Sequence, residues 1–316
     1  MSFSSMNRSR NRVGSKAMAY EPLEGRRLMA GNVSVNLSPL TNKLTLIGDG
    51  LSNQVQIEPA PGGGILISGQ NGTTIAGLPQ RIVGGTKLGD VSVDMGPGND
   101  ALRIIDIVFD SFYSQEFGSG RDVVVFDGVR ATGDVYIFTA AGADMVDVDG
   151  LFAGDVFIDT GTQDDTVDVS GRIGVVLLPN GNLDDEYVFG GPTGGNRNLI
   201  VLTHNGNDQV SLNDLQHDGY ANILTGGHAD LVGTENVQVA GDLDIYTQEG
   251  DDQVHINNTT AARVWVWLGR GDDKMEIDPF STFSSGGLRI DGGSGFDIVN
   301  QHGLSLGTFL NVEVLI

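Results

Sequence analysis

Ten aspartates recur along the chain at intervals of 20 to 24 residues: Asp100, Asp122, Asp144, Asp165, Asp185, Asp208, Asp230, Asp252, Asp273 and Asp297. Most end a Gly-rich turn, and every one directly precedes a short run of alternating apolar residues. A carboxylate repeated once per structural unit has two ordinary uses: oxygen ligand for a hard cation, or cap for the amides of a turn. Stacked at the ~4.8 Å spacing of neighbouring strands, two ionised carboxylates repel by about 3.5 kcal/mol at an effective dielectric of ~20, before salt screening. Further acids at Asp164, Asp184, Asp251 and Asp272 worsen this. Ca²⁺ takes six to eight oxygens in flexible geometry, which carboxylates and turn carbonyls of two adjacent loops supply. The expectation is therefore a calcium-binding acidic edge, the alternative being aspartates that cap turn amides while Gly supplies positive φ.

No catalytic constellation accompanies the aspartates. The five histidines show neither His-Glu-x-x-His nor another metal-ligand spacing, and no Gly-x-Ser-x-Gly occurs. Parallel β-helices that cleave polysaccharides use clustered Arg and Lys beside acids, whereas only 12 basic residues are spread over residues 32–316. A non-enzymatic protein is expected, with a polysaccharide-binding or polysaccharide-cleaving β-helix as the competing class. A second candidate site is aromatic. Trp265 and Trp267 are two apart on one strand and share a face, and Tyr246 aligns with Trp267 one repeat earlier. Rings in such a row can stack on sugars or bury against an apolar partner, so these three residues are expected to bind a ligand, a polysaccharide or a surface protein.

The elements that position these residues follow from periodicity. Two residues after each aspartate stands an apolar side chain such as Leu102, Val124, Val146, Val167, Val210, Val232 or Val254, and four after it another such as Ile104, Phe126, Val148 or Ile256. Polar residues intervene, so each repeat carries a strand with one buried and one wet face. A second strand precedes the turn, with inward positions nine and seven residues upstream, as in Val91 and Val93, Val135 and Ile137, or Val264 and Val266. The Asp122 repeat departs, with Tyr113 and Gln115 at those positions. Outward positions of this strand are often apolar, including Tyr136, Phe138, Phe157, Ile200, Leu202 and Leu224. The segment Asp278–Phe283 is a candidate cover for them. A unit of two short strands cannot bury its apolar face alone, while stacked units share one continuous core. The fold class is all-β: a parallel β-solenoid (β-helix) of about ten 20–24-residue coils with β-rich terminal caps, roughly 48 Å tall by strand spacing.

Composition is consistent with one elongated domain: 316 residues, 47 Gly and no Cys, so neither disulfides nor thiolate chemistry contribute. The net charge of −23 conceals an asymmetry, since residues 1–31 carry six basic and two acidic residues and the rest 12 basic and 39 acidic. So acidic a body repels phosphate backbones and anionic lipid, which argues against nucleic acid and membrane insertion and in favour of cations. Residues 1–31 read as a basic, disordered export or targeting segment without the apolar run of a standard signal peptide. Residues 32–90 read as a β-rich N-terminal cap with turn signals at Asn71-Gly72 and Gly62-Gly63-Gly64, residues 91–303 as the repeats, and residues 304–316 as a closing strand.

Two resemblances carry further expectations. Gly292 to Val299 resembles the nonapeptide GGxGxDxUx of RTX (haemolysin-type) calcium-binding repeats, and Gly-x-Gly-x-Asp recurs at Gly96/Gly98/Asp100, Gly118/Gly120/Asp122 and Gly269/Gly271/Asp273. In that family successive loops sandwich Ca²⁺ with Asp carboxylates and carbonyls, which implies Ca²⁺ as cofactor here and the ten aspartates as its ligands. The family repeats its motif about every nine residues, whereas in this chain it comes once per 20 to 24, implying one acidic edge rather than two. Leu23, Glu24, Arg26 and Leu28 resemble the LEPR-type segment near the start of many exported bacterial surface proteins, with Gly25 and Met29 departing from it. That resemblance implies a secreted or cell-surface bacterial protein, and together the two imply a calcium-binding structural or adhesive solenoid.

Overall fold

The computed structural model describes residues 31–115, 117–174, 197–303 and 307–316. Every regular element among them is a strand, and pairing between successive coils is parallel and in register. Met145 lies against Thr166, Val146 against Val167 and Asp147 against Asp168, and the pattern repeats one coil on with Gln209, Val210 and Ser211. The chain is a parallel β-solenoid. Among the described residues no helix is long and apolar enough to cross a membrane.

Alternation within each strand builds the core. Val124, Val146, Val167, Val210, Val232 and Val254 form one inward column, and Val135, Val156, Leu199, Ala221, Leu243 and Val264 another, all inaccessible to solvent. Near one end Phe109, Phe112 and Phe126 fill the interior, with Phe126 edge-on to Phe112 at 4.8 Å and to Phe109 at 6.0 Å. The Asp122 coil departs from the sequence expectation by one residue. Phe112 and Ser114 face inward there and Tyr113 outward, because Phe112 pairs with Val91 and Val135. Its strand therefore starts one residue further from the turn than in the other coils.

Each coil has a third leg that two-strand reasoning omits. The strand after the turn bends about six residues past the aspartate, where Asp106, Gly128, Gly171, Asp214, Asn236 and Asn258 all take positive φ. Gly, Asn and Asp are the residues that tolerate this region, so the bend is encoded by residue type. Asn258 Nδ2 donates to Asn236 Oδ1 and Asn236 Nδ2 to Asp214 Oδ1, tying three bends together. Beyond the bend, Val129, Ala131, Leu215, Val237 and Ala261 return to the core.

The membership of the stack departs from the aspartate spacing. Val156–Asp159 pairs directly with residues of Asn198–Leu202, and Thr166–Ile173 with Gln209–His217, so the Asp165 coil stacks on the Asp208 coil with no rung between. The column thus runs through nine aspartates instead of ten. Asp185 lies outside the described residues, as do residues 1–30 and the export segment read there. At the N-terminal end Leu44–Ile47 and Gln54–Pro59 add one parallel coil, covered by antiparallel pairing with Asn32–Leu37 and Ile65–Gly69. Such hairpins remove an open parallel edge. At the other end Thr308–Leu310 and Val314–Leu315 add a last parallel rung on Arg289–Asp291 and Ile298–Val299.

Candidate functional site: the aspartate column

The repeated turn is shaped by stacking. Four residues before each aspartate the backbone has positive φ, at Gly96, Gly118, Gly161, Gly226, Gly269 and Gly293 but also at Ala140, His204 and Gln248. The copies that lose glycine therefore keep the conformation. Two residues before the aspartate glycine stands in every described coil but two, where Gln163 and His228 hold positive φ. A Cβ on Gly120, Gly142, Gly271 or Gly295 would fall on the carbonyl oxygen of Gly98, Gly120, Gly250 or Gly271 in the adjacent coil. Glycine recurs there because turn backbones are in contact.

The aspartates point inward. Asp100, Asp122, Asp144, Asp165, Asp208, Asp230, Asp252, Asp273 and Asp297 are between 0 and 3 % exposed. Each Oδ1 accepts a hydrogen bond from the backbone N–H of the equivalent residue one coil earlier. Asp100 N–H donates to Asp122 Oδ1 at 2.7 Å, Asp122 to Asp144 at 2.8 Å, Asp144 to Asp165 at 2.8 Å, and Asp165 to Asp208 at 2.8 Å. The column continues through Asp208 to Asp230, Asp230 to Asp252, Asp252 to Asp273 and Asp273 to Asp297. Asn53 begins it, donating its N–H to Asp100 Oδ1 at 2.6 Å, and Glu313 ends it, accepting from Asp297 N–H at 2.8 Å. Parity could have revealed this orientation, because the aspartate is two and four residues from inward apolar positions.

A second column of opposite polarity runs on the solvent side. Asp164 Oδ1 accepts from Asn207 N–H, Asp251 Oδ1 from Asp272 N–H and Asp272 Oδ1 from Phe296 N–H, each from the following coil. Asn99 does the same for Arg121. Paired acids at the turn thus cap amides both above and below.

Burial dominates the electrostatics of the inner column. It pushes the carboxyls of Asp122, Asp165, Asp230, Asp252 and Asp273 up to about 7 and that of Asp100 to about 6. Asp144, Asp208 and Asp297 are raised for the same reason, against the lowering effect of the amide bonds. The second oxygen, Oδ2, of every one of the nine is buried and makes no hydrogen bond.

The carboxylates alone do not form the calcium cage implied by the RTX resemblance. One oxygen of each carboxylate is committed to a backbone amide, and among the described residues no three Asp, Glu or His side chains converge as a metal-holding group. A six- to eight-oxygen shell would have to be made up from Oδ2 and turn carbonyls. His217 is buried, its Nε2 facing Tyr220 O at 2.8 Å, and burial lowers its pKa.

The aromatic candidates form an outward row as the register requires, with Tyr246 opposite Trp267 and Asp244 opposite Trp265. Their rings meet edge to face, Tyr246 at 5.7 Å from Trp265 and 6.4 Å from Trp267, rather than as a coplanar platform. Trp265 is covered by the Arg289 guanidinium 5.0 Å from its ring centroid, and its Nε1 is buried without a partner; Trp267 remains 39 % exposed. At the far end of this face the outward Tyr136, Phe138 and Phe157 expected from sequence are joined by Tyr113, which the periodicity places inward, and these rings contact one another at 5.5 to 6.3 Å. Phe280, in the segment expected to cover the row, is 75 % exposed. Comparison of the chain with protein families, with curated proteins and with solved structures finds no match.

Proposed function

We propose that this protein is a rigid structural and adhesive element of the bacterial cell surface or extracellular matrix, which holds a partner along one face of its solenoid. The observation that carries this reading is the outward apolar stripe of the strand before the turn. It runs from Tyr113 through Tyr136, Phe138, Phe157, Ile200, Leu202, Leu224 and Tyr246 to Trp267, over consecutive stacked coils. A soluble surface seldom presents so long an apolar row without a use for it. The LEPR-like residues near the N-terminus support export.

Sedimentation with cell-envelope preparations and with isolated envelope polysaccharide tests the reading. Trp267→Ala combined with Tyr113→Ala should reduce retention at least several-fold while the melting curve stays nearly unchanged, because both side chains lie outside the core. Retention equal to that of the unmodified protein contradicts it. The competing reading, a polysaccharide-cleaving β-helix, predicts release of reducing ends or unsaturated products; the structural reading predicts none.

A further inference from the structure

The buried Oδ2 atoms need a partner that the fold does not offer to an anion. Asn53 shows what that position faces, since it stands in register with Asp100 at the head of the column. Its Nδ2, in place of a carboxyl oxygen, donates to Leu51 O at 2.7 Å and to Met95 O and Asp49 O at 3.3 Å. Acceptors line the site. Where Met95 is replaced by threonine in later coils, hydroxyls beside the carboxyls have a carbonyl within hydrogen-bond distance. Thr139 Oγ1 donates to Thr160 O at 3.1 Å, Thr203 to Thr225 O at 3.3 Å and Thr247 to Leu268 O at 2.8 Å. A hydroxyl turned to its carbonyl offers only lone pairs to the neighbouring Asp144, Asp208 or Asp252. Turned the other way it bonds the carboxylate and lowers its pKa, an effect that burial outweighs in each case, and Thr225, which has no carbonyl partner, stands beside Asp230 in that second role.

We propose that the inner aspartates are carried as neutral carboxylic acids, one proton per coil, so that the solenoid is a proton-loaded stack that is tightest in mildly acidic surroundings. Each acid then accepts an amide at Oδ1 and donates from Oδ2, where Asn53 donates from Nδ2. Ionising neighbours in one buried column is opposed first by burial and then by mutual repulsion. The charged groups facing the column are mostly acidic as well: Asp49 near Asp100, Asp164 near Asp208, Asp251 near Asp252 and Asp273, and Glu313 near Asp297. His204 and His228, at Asp208 and Asp230, act in the other direction. Because the folded carboxyls titrate above their unfolded value, the stability they confer is complete below the ordinary carboxylate range near pH 4. It is lost as pH rises toward and through about 7.

Thermal melting of the full chain in EGTA at pH 5, 6.5 and 8 tests this, alongside Asp230→Asn, Asp252→Asn and Asp252→Ala. The melting temperature of the unmodified protein should fall by on the order of 10 °C from pH 5 to 8. Half-molar NaCl should leave most of that fall in place, because buried charges are weakly screened. The Asn variants, isosteres of the protonated acid, should melt higher than the unmodified protein at pH 8 and depend less on pH, while Asp252→Ala should melt lower at every pH. Two results overturn the proposal: a melting temperature that does not change with pH or loses its pH dependence in salt, or Asn variants that melt lower at pH 8 while Ca²⁺ raises the unmodified protein. The latter would return the column to ionised metal ligands.

Discussion

Gly142→Val will leave little or no folded protein at 25 °C. The Cβ lands on the Gly120 carbonyl oxygen of the coil before, and the backbone there has φ of 156°, which β-branched residues avoid. Overpacking and backbone strain together cost about 2 to 6 kcal/mol, and the clash lies between coils, where it opposes every bond of the adjoining rung. Gly233→Ala is the matched control, since nothing lies within 4 Å of its added Cβ. Far-ultraviolet circular dichroism and urea unfolding should show loss of β structure in the first variant and near-normal behaviour in the second. A Gly142→Val protein that melts within a degree or two of the unmodified chain would mean that the turns do not stack as described.

Phe126→Ala carries the second large effect. Phe126 is 1 % exposed and packs edge-on against both Phe109 and Phe112, so its removal opens a cavity with rigid walls. Phe→Ala changes in such cores cost about 3 to 5 kcal/mol. Stability in a solenoid is approximately a sum over coils and their interfaces, so the loss should fall on the N-terminal third and split urea unfolding into two transitions. A single transition displaced by less than about 1 kcal/mol would contradict the packing.

Much of this was legible in the residues. The period of the aspartates and the alternation of Val124 with Phe126, or Val146 with Val148, require a strand with one buried face, and a unit so thin buries that face only by stacking. Three features were hidden for separate reasons. The Asp185 copy keeps both the acid pair and the alternating Tyr187 and Phe189, so spacing alone counts it as a coil. Only the direct pairing of Thr166 with Gln209 removes it from the stack. The bend at Gly128, Asp214 and Asn236 leaves no mark on hydrophobic period, because core positions resume after it at Val129, Leu215 and Val237. The orientation of the aspartates was present in parity, but charge argued for the solvent side. Only the backbone amides of neighbouring coils explain why an acid is kept within the wall. Trp265 was legible as outward-facing, whereas its cover by Arg289 comes from the next coil and has no local signal.

The central claim is that the column inside the turns is neutral and hydrogen-bonded, and the aspartate carboxyl ¹³C signals report on it directly. In protein labelled at aspartate and studied in EGTA at pH 6, the account predicts a distinct group of protonated carboxyl resonances, those of Asp122, Asp165, Asp230, Asp252 and Asp273 among them, that titrate near neutral pH. A spectrum in which every aspartate is ionised at pH 6, with shifts appearing on addition of Ca²⁺, would contradict it.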